Sequence, residues 1–251
     1  MNTSKKIDYI VQWIRDYVDG MQNPAKTLIV GVSGGIDSAL TSTLSSLSGI
    51  KTIGISMPII INKNSSDLSK IHGKWLITNF SNTSFLSVDL TESYNTFYSK
   101  LCDMHQISEL GFANSKARLR MMTLYQVASS QNGLVVGTGN KVEDFGVGFY
   151  TKYGDGGVDI SPIADLMKSE VRELSKFLKI DSRIINAEPT DGLWDDDRTD
   201  EKQLGLSYDD LEEAMTNANS INREKYEKIR GANTHKMNPI PVCKIPNDNL
   251  K

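Results

Sequence analysis

The sequence reads as an α/β chain: a single doubly wound, mainly parallel sheet flanked by helices. Short apolar runs alternate with longer amphipathic stretches, the order that builds a parallel sheet with helical crossovers. The first run, TLIVGVS at 27–33, shows no polar alternation, as befits a strand covered on both faces. A Ser-Gly-Gly bend follows it at once and leads into the next helix.

Ile7, Ile10, Val11, Ile14 and Val18 share one face of an opening helix over 5–19. After the first strand and its bend, a helix runs over about 37–47. KTIGISMP is a second strand, stopped by Pro58. The polar loop INKNSSDLSK leads to an amphipathic helix ending near Phe80, and FLSVDL is a short third strand. Two helices follow, the second over about 114–130, and then a fourth strand, GLVVGT. The next segment, GNKVEDFGVGFYTKYGDGGVDISP, is a glycine-rich connection of a length usually reserved for function. Pro162 opens a further helix to about Leu178. Loop and helix complete the chain, with a polar, proline-containing tail.

The 251 residues suit one large domain and allow a sizeable core. The net charge of −3 and the mixing of signs exclude broad nucleic-acid binding. Cys102 and Cys243 offer no zinc spacing and suit a reducing cytoplasm. Asp8 and Arg15 interrupt what would be the apolar core of a signal sequence. No apolar run approaches the roughly 20 residues that span a bilayer. A cytoplasmic protein with neither nucleic acid nor membrane as partner is expected.

Ligands of such sheets bind beyond the carboxyl ends of the strands. Three loops sit there and converge on one crevice: Ser33 to Ser38, Met57 onward, and Thr138 to Glu143. In the first, the N–H groups that open a helix meet a glycine bend, so the loop is built for phosphate. It is not a Walker loop, since no lysine follows Gly35, and G-x-G-x-x-G is absent. Asp37 stands in the approximate place of that lysine. A carboxylate beside phosphates is repulsive unless a cation lies between them, so Asp37 implies Mg²⁺. The plainer reading of the same residues is a glycine turn with an N-capping aspartate.

S-G-G-x-D-S between strand and helix resembles the PP-loop of the N-type ATP pyrophosphatases, which implies cleavage of ATP between its α and β phosphates. Downstream stretches narrow the likeness: KARLRM, GTGNKVE, FYTKYGDGGVDISPIADLMK, EPTDGLWDDDRTDE, LGLSYDDL and THK. Together, in this order, they resemble ammonia-dependent NAD synthetase from about 28 to 236. The resemblance implies a Rossmann-like fold of the adenine nucleotide alpha hydrolase type and a homodimer. It also implies a two-step reaction: the nicotinate carboxylate of deamido-NAD attacks ATP to give an adenylate and pyrophosphate, and ammonia then displaces AMP. One NAD synthetase domain over 1–251 without a glutaminase domain is expected, because the roughly 30 residues before the loop cannot hold one.

Carried over residue by residue, the resemblance gives ATP to Gly31, Val32, Ser33, Gly34, Gly35, Ile36, Asp37, Ser38, Thr138, Lys168 and Thr190. It gives Mg²⁺ to Asp37 and Glu143, and deamido-NAD to Arg118, Lys152, Asp159, His235 and Lys236. By position alone, Glu143 is also what a solvated glutamate at a helix start looks like. Lys168 alone reads as a solvated lysine, and Arg118 as one half of a surface ion pair. Asp37 and Asp155 are the catalytic candidates. Asp155 either orients or deprotonates the incoming ammonia, or shapes the glycine loop through side-chain hydrogen bonds. Two rivals remain: another PP-loop adenylating ligase, and a silent adenine-nucleotide-binding module. The polar stretches 57–70 and 190–203 are the candidate closing segments.

Overall fold

The computed structural model describes residues 1–59, 63–105, 107–190, 192–194 and 198–245, with backbone alone at 63–66. Parts of both candidate closing segments, at 60–62, 191 and 195–197, lie outside the described residues. Four strands form one sheet: β1 (Thr27–Gly31), β2 (Lys51–Ser56), β3 (Thr83–Ser87) and β4 (Gly133–Val136). Their order is β3-β2-β1-β4, and every pairing is parallel. Ile29 of β1 stands opposite Ile53 on one side and Val135 on the other. Leu28, Ile29 and Val30 are fully buried, because helices cover both faces of the central strand. β3 has little apolar sequence and is the half-exposed edge. From β1 the chain steps outward to β2 and β3, then returns to β4 on the other side of β1. The switch point therefore falls between β1 and β4.

One face carries α1 (Thr3–Asp19) and α2 (Ile36–Leu47). With them pack the later helices α6 (Lys168–Phe177) and α7 (Ser182–Ile185). Ile14, Leu28, Val30, Leu40, Leu44, Val171, Leu174 and Ile184 meet there. The other face carries α4 (Thr91–Asp103) and α5 (Glu109–Ser130), packed on Ile29, Ile53, Ile55 and Val135. α3 (Lys63–Asn79) covers the β2–β3 edge and begins inside the stretch expected to be loop. α2 buries Thr41, Ser42, Thr43, Ser45 and Ser46. Four of these hydroxyls bond back to the carbonyl four residues earlier, which satisfies them inside the core: Ser42, Thr43, Ser45 and Ser46, at 2.7–2.8 Å.

Besides the early start of α3, β3 spans Thr83–Ser87 and not the run at 85–90, α5 starts at Glu109 and not near 114, and two longer parts depart from the sequence reading. The helix expected from Pro162 begins only at Lys168, where the Glu170 carboxylate accepts from the Met167 N–H at 2.9 Å and closes the first turn. Residues 162–165 make turns instead, with Leu166 N–H donating to the Ile163 carbonyl. The glycine-rich connection is not all loop: Lys141–Val147 is a π-helical turn. Its Val142 and Val147 nucleate a third core with α8 (Asp200–Leu204), α9 (Tyr208–Thr216) and α10 (Arg223–Met237), which supply Leu204, Tyr208, Leu211, Ala214 and Tyr226. No helix among the described residues is long and apolar enough to cross a membrane. Cys102 and Cys243 are both free thiols.

Candidate active site

β1 ends at Gly31, and Val32 still donates its N–H to the Ile55 carbonyl of β2 at 2.8 Å. The chain then bends at Gly34, whose φ of +96° is a conformation that side chains rarely adopt. Ser38 holds the bend: its hydroxyl accepts from Ser33 N–H at 3.2 Å and donates to the Gly35 carbonyl at 2.9 Å. The Ser33 hydroxyl lies 3.0 Å from it and accepts from Gly35 N–H. Ser38 thus shapes the loop from within. Gly35, not Asp37, stands at the cap position of α2, and no side chain there accepts from the first turn. The plainer capping role for Asp37 is overturned, and the open helix end keeps the arrangement that receives an anion.

Three charged side chains from distant segments meet beside this loop. Lys168, the first residue of α6, is buried at 2 % side-chain exposure. Its ammonium donates to Asp37 Oδ2 at 2.6 Å and to Glu143 Oε1 at 2.9 Å. Asn140 stands at the cap of the π-helical turn, where its Oδ1 accepts from the N–H groups of Val142 and Glu143. Its Nδ2 reaches across to Asp37 Oδ1 at 3.0 Å. One asparagine therefore fixes the β4 loop and the β1 loop together at the switch point. Tyr208, the first residue of α9, donates to Glu143 Oε1 at 2.5 Å. The cation against Asp37 is thus Lys168, so a carboxylate beside this loop does not by itself require a metal.

Burial opposes the charge on Lys168, but two adjacent carboxylates override it and hold its pKa above the lysine range. Glu143 is likewise penalised by burial, yet Lys168 and the Tyr208 and Asn140 donors hold it below the usual carboxylate range. Asp37 moves the other way: burial raises it, Lys168 offsets part, and Glu143 adds repulsion. Two carboxylates share one ammonium here, and the one with the extra phenol donor keeps its charge more easily. Asp144 is pushed well above its ordinary value by burial and by Glu143, Asp155 and Asp37. Its carboxyl fills the space over Gly139, where a Cβ would stand 2.0 Å from Oδ2.

The residues expected on the dinucleotide form a chain of contacts of their own. Arg118 on α5 donates from Nε and Nη2 to the Lys152 carbonyl at 3.4 and 3.3 Å. Lys152 donates to the His235 carbonyl at 3.3 Å, and Lys236 to the Tyr150 carbonyl at 2.8 Å. Burial lowers Lys236, and Asp155 partly restores it. Asp155 is open to solvent. The protein packed behind it raises its pKa, the N–H of Thr151, bonded at 3.0 Å, lowers it, and Glu143 raises it further. Asp159 faces elsewhere: its carboxylate accepts from Val135 N–H at 2.7 Å and from Tyr125 OH at 3.0 Å, fastening the β4 edge. Thr138 is half-buried on the loop between β4 and Asn140. Thr190 is exposed, and among the described residues no hydrogen bond joins it to Asp37, Glu143 or Lys168.

A family model described as NAD synthase matches residues 6–245. The chain belongs to the NAD synthase family. An NH(3)-dependent NAD(+) synthetase of Alkaliphilus oremlandii is 37% identical over 257 residues, covering 97% of this chain and 98% of that protein. Its counterpart in Carboxydothermus hydrogenoformans is 38% identical over 215 residues, covering 84% and 85%. Among solved structures, an NMN synthetase from Francisella tularensis superposes with a TM-score of 0.85 at 28% identity, covering 98% of this chain and 99% of that one. An NH3-dependent NAD synthetase from Campylobacter jejuni gives 0.78 at 24% identity, covering 97% and 100%, a likeness of fold.

Around this cluster, Asn140, Asp144 and Tyr208 carry contacts that sequence reasoning did not assign, as does Asp200, whose Oδ2 lies 3.2 Å from the Tyr208 hydroxyl. Asn140 had a signal: an asparagine three residues before Glu143 has the spacing of a helix cap with an acidic third position. Tyr208 lies in the LGLSYDDL stretch, but its contacts were hidden because Glu143 and Lys168 are 65 and 40 residues away in the chain.

Proposed function

We infer that this chain is an ammonia-dependent ligase that amidates deamido-NAD to NAD with consumption of ATP. The observation that carries the reading is the meeting of Asp37, Glu143 and Lys168 beside an open helix end at the switch point of the sheet. A carboxylate cannot be aminolysed directly, because oxide would have to leave. A nicotinate oxygen attacks the α-phosphorus of ATP, the bond to the bridging oxygen breaks, and pyrophosphate departs. The ammonia lone pair then attacks the acyl carbon, the carbon–oxygen bond to AMP breaks, and the nitrogen sheds a proton. The protein's part is to orient the reactants and balance charge. The loop from Ser33 to Ser38 receives the phosphates, Lys168 supplies a fixed positive charge beside them, and Arg118, Lys152, His235 and Lys236 bind the dinucleotide. Asp155 meets the nitrogen nucleophile.

Magnesium fits the donors present. Asp37 and Glu143 offer hard carboxylate oxygens, and Mg²⁺ is usually held by one or two carboxylates together with substrate phosphates. Among the described residues no group of three or more His, Cys, Asp or Glu side chains could cage a metal without substrate. Asp37 and Glu143 would hold the ion, which supplies charge neutralisation for the triphosphate when bound. A homodimer is proposed through α5, which leaves Leu110 and Met122 exposed. A sedimentation mass of a single chain would contradict it. The two free thiols suit a reducing cytoplasm.

The test incubates the chain with ATP, Mg²⁺, ammonium and deamido-NAD and measures NAD and pyrophosphate, expected in equal amounts. Pyrophosphate without NAD would favour another adenylating ligase, and neither product a silent nucleotide-binding module. The close superposition on an NMN synthetase favours one second reading, the same amidation on the mononucleotide acid. A competition between the two acids decides it. The sequence relatives, at 37–38% identity, support the dinucleotide.

A further inference from the structure

Tyr208 belongs to the Ser-Tyr-Asp-Asp stretch after α8, and no step of the amidation uses it. Its side chain is 1% exposed. The backbone N–H donates to Glu201 Oε1 at 3.0 Å, and a reciprocal cap between Ser207 and Asp210 pins the first turn of α9 around it. Its ring lies 4.6 Å from Lys168 Nζ, a cation–π contact. Its hydroxyl stands 2.5 Å from Glu143 Oε1 and 3.2 Å from Asp200 Oδ2. Packing alone would be served by phenylalanine. The phenol instead meets the same oxygen of Glu143 that Lys168 holds. Two donors on Oε1 fix the plane of that carboxylate, and neither bond involves Oε2.

We propose that Tyr208 is a positioning residue for the nucleotide end of the site: its hydroxyl sets the direction in which Glu143 presents its second oxygen to the metal–triphosphate. This rests on the reading of Glu143 as a metal ligand. It gives the LGLSYDDL stretch a physical task, because the corner between α8 and α9 then fixes the orientation of a group on the π-helical turn. Both donors on Oε1 make charge-assisted hydrogen bonds, and the phenol, held by its buried ring, adds a second fixed direction to that of the ammonium.

Tyr208→Phe keeps the ring and its contact with Lys168 and removes only the hydroxyl. Mn²⁺ binding to the full chain with α,β-methylene-ATP, followed by electron paramagnetic resonance, is expected to weaken on the order of tenfold. The KM for deamido-NAD stays within about twofold. In a Glu143→Gln background the same change is expected to alter Mn²⁺ binding by less than about twofold, because the group it acts through is gone. Equal losses in both backgrounds, or unchanged Mn²⁺ binding in Tyr208→Phe, overturn the proposal. A wild-type chain that binds no Mn²⁺ with the analogue overturns it together with the metal role of Glu143. The titration needs no turnover, so a chain that binds Mn²⁺ but forms no NAD refutes the amidation alone.

Discussion

The two ends of the crevice are built on opposite principles. Around Asp37 the charged groups are largely buried and answer one another: a carboxylate, an ammonium, a second carboxylate, a phenol and an amide in one set. Around Arg118 the charged groups are cations whose partners are backbone carbonyls, at 2.8–3.4 Å. A guanidinium on a carbonyl has given up little and exchanges readily for a phosphate or carboxylate. The first end is organised before substrate arrives, and the second completes its pairing with substrate. Substitutions at the first should damage folding and chemistry together, and substitutions at the second should damage binding alone.

Lys168→Met is the severest test. It leaves two buried carboxylates facing each other without their cation, a change that costs about 3–5 kcal/mol when a buried pair loses one partner. Activity should fall on the order of 10²- to 10³-fold as well, since the variant removes the fixed charge that the proposed reaction sets beside the phosphates. A variant with the thermal midpoint of the wild type would show that the groups of this set do not depend on one another, and the contrast between the ends would go with it.

The organised end reaches further into the core through His72. Its Nε2 lies 2.9 Å from the Ser42 hydroxyl on α2, behind the phosphate loop, and burial pushes its pKa down to about 4. The folded chain therefore binds fewer protons than the unfolded chain between pH 6.5 and 4. Stability is full above 6.5 and falls as pH drops through that window, by about 3 kcal/mol in all. His72→Gln, which keeps a hydrogen-bonding group but cannot titrate, should flatten that part of the curve. Parallel denaturation curves for both proteins across the window would remove His72 from the account.

At the other end, Arg118→Ala should raise the KM for the dinucleotide about tenfold or more with little change in kcat and none in thermal midpoint. Arg118→Lys should recover only part of the loss, because the planar fork is missing. A lowered midpoint with an unchanged KM would make Arg118 a clamp on the glycine loop and would erase the distinction between the ends.

Much of the frame was legible because it depends on local pattern. Ile7, Ile10, Val11, Ile14 and Val18 are the buried residues of α1, β1, β2 and β4 begin where apolar runs predict them while β3 is shifted to Thr83–Ser87, and Gly34 makes the bend expected of a phosphate loop. What was illegible depends on distance. Lys168 reads as a solvated lysine until the turns before it place it in the first turn of α6, against a carboxylate 131 residues away. The third core was hidden for the same reason: short helices after 200 have little apolar content of their own and acquire a core only on the π-helical turn.

Asp159 gives the finest comparison, since the role expected of it and its contacts point to different ends. As a dinucleotide contact it belongs with Arg118, yet both its oxygens are engaged within the fold, by Val135 N–H and Tyr125 OH. Asparagine can keep the first bond with its carbonyl oxygen and offer its amide to the second, because the Tyr125 hydroxyl can turn to accept. Asp159→Asn should then cost about 1 kcal/mol or less, the difference between a charged and a neutral acceptor. A carboxylate needed by substrate would instead show as a raised KM with no loss of stability. The KM and the thermal midpoint, measured on the same variant, place Asp159 with the fold or with the dinucleotide.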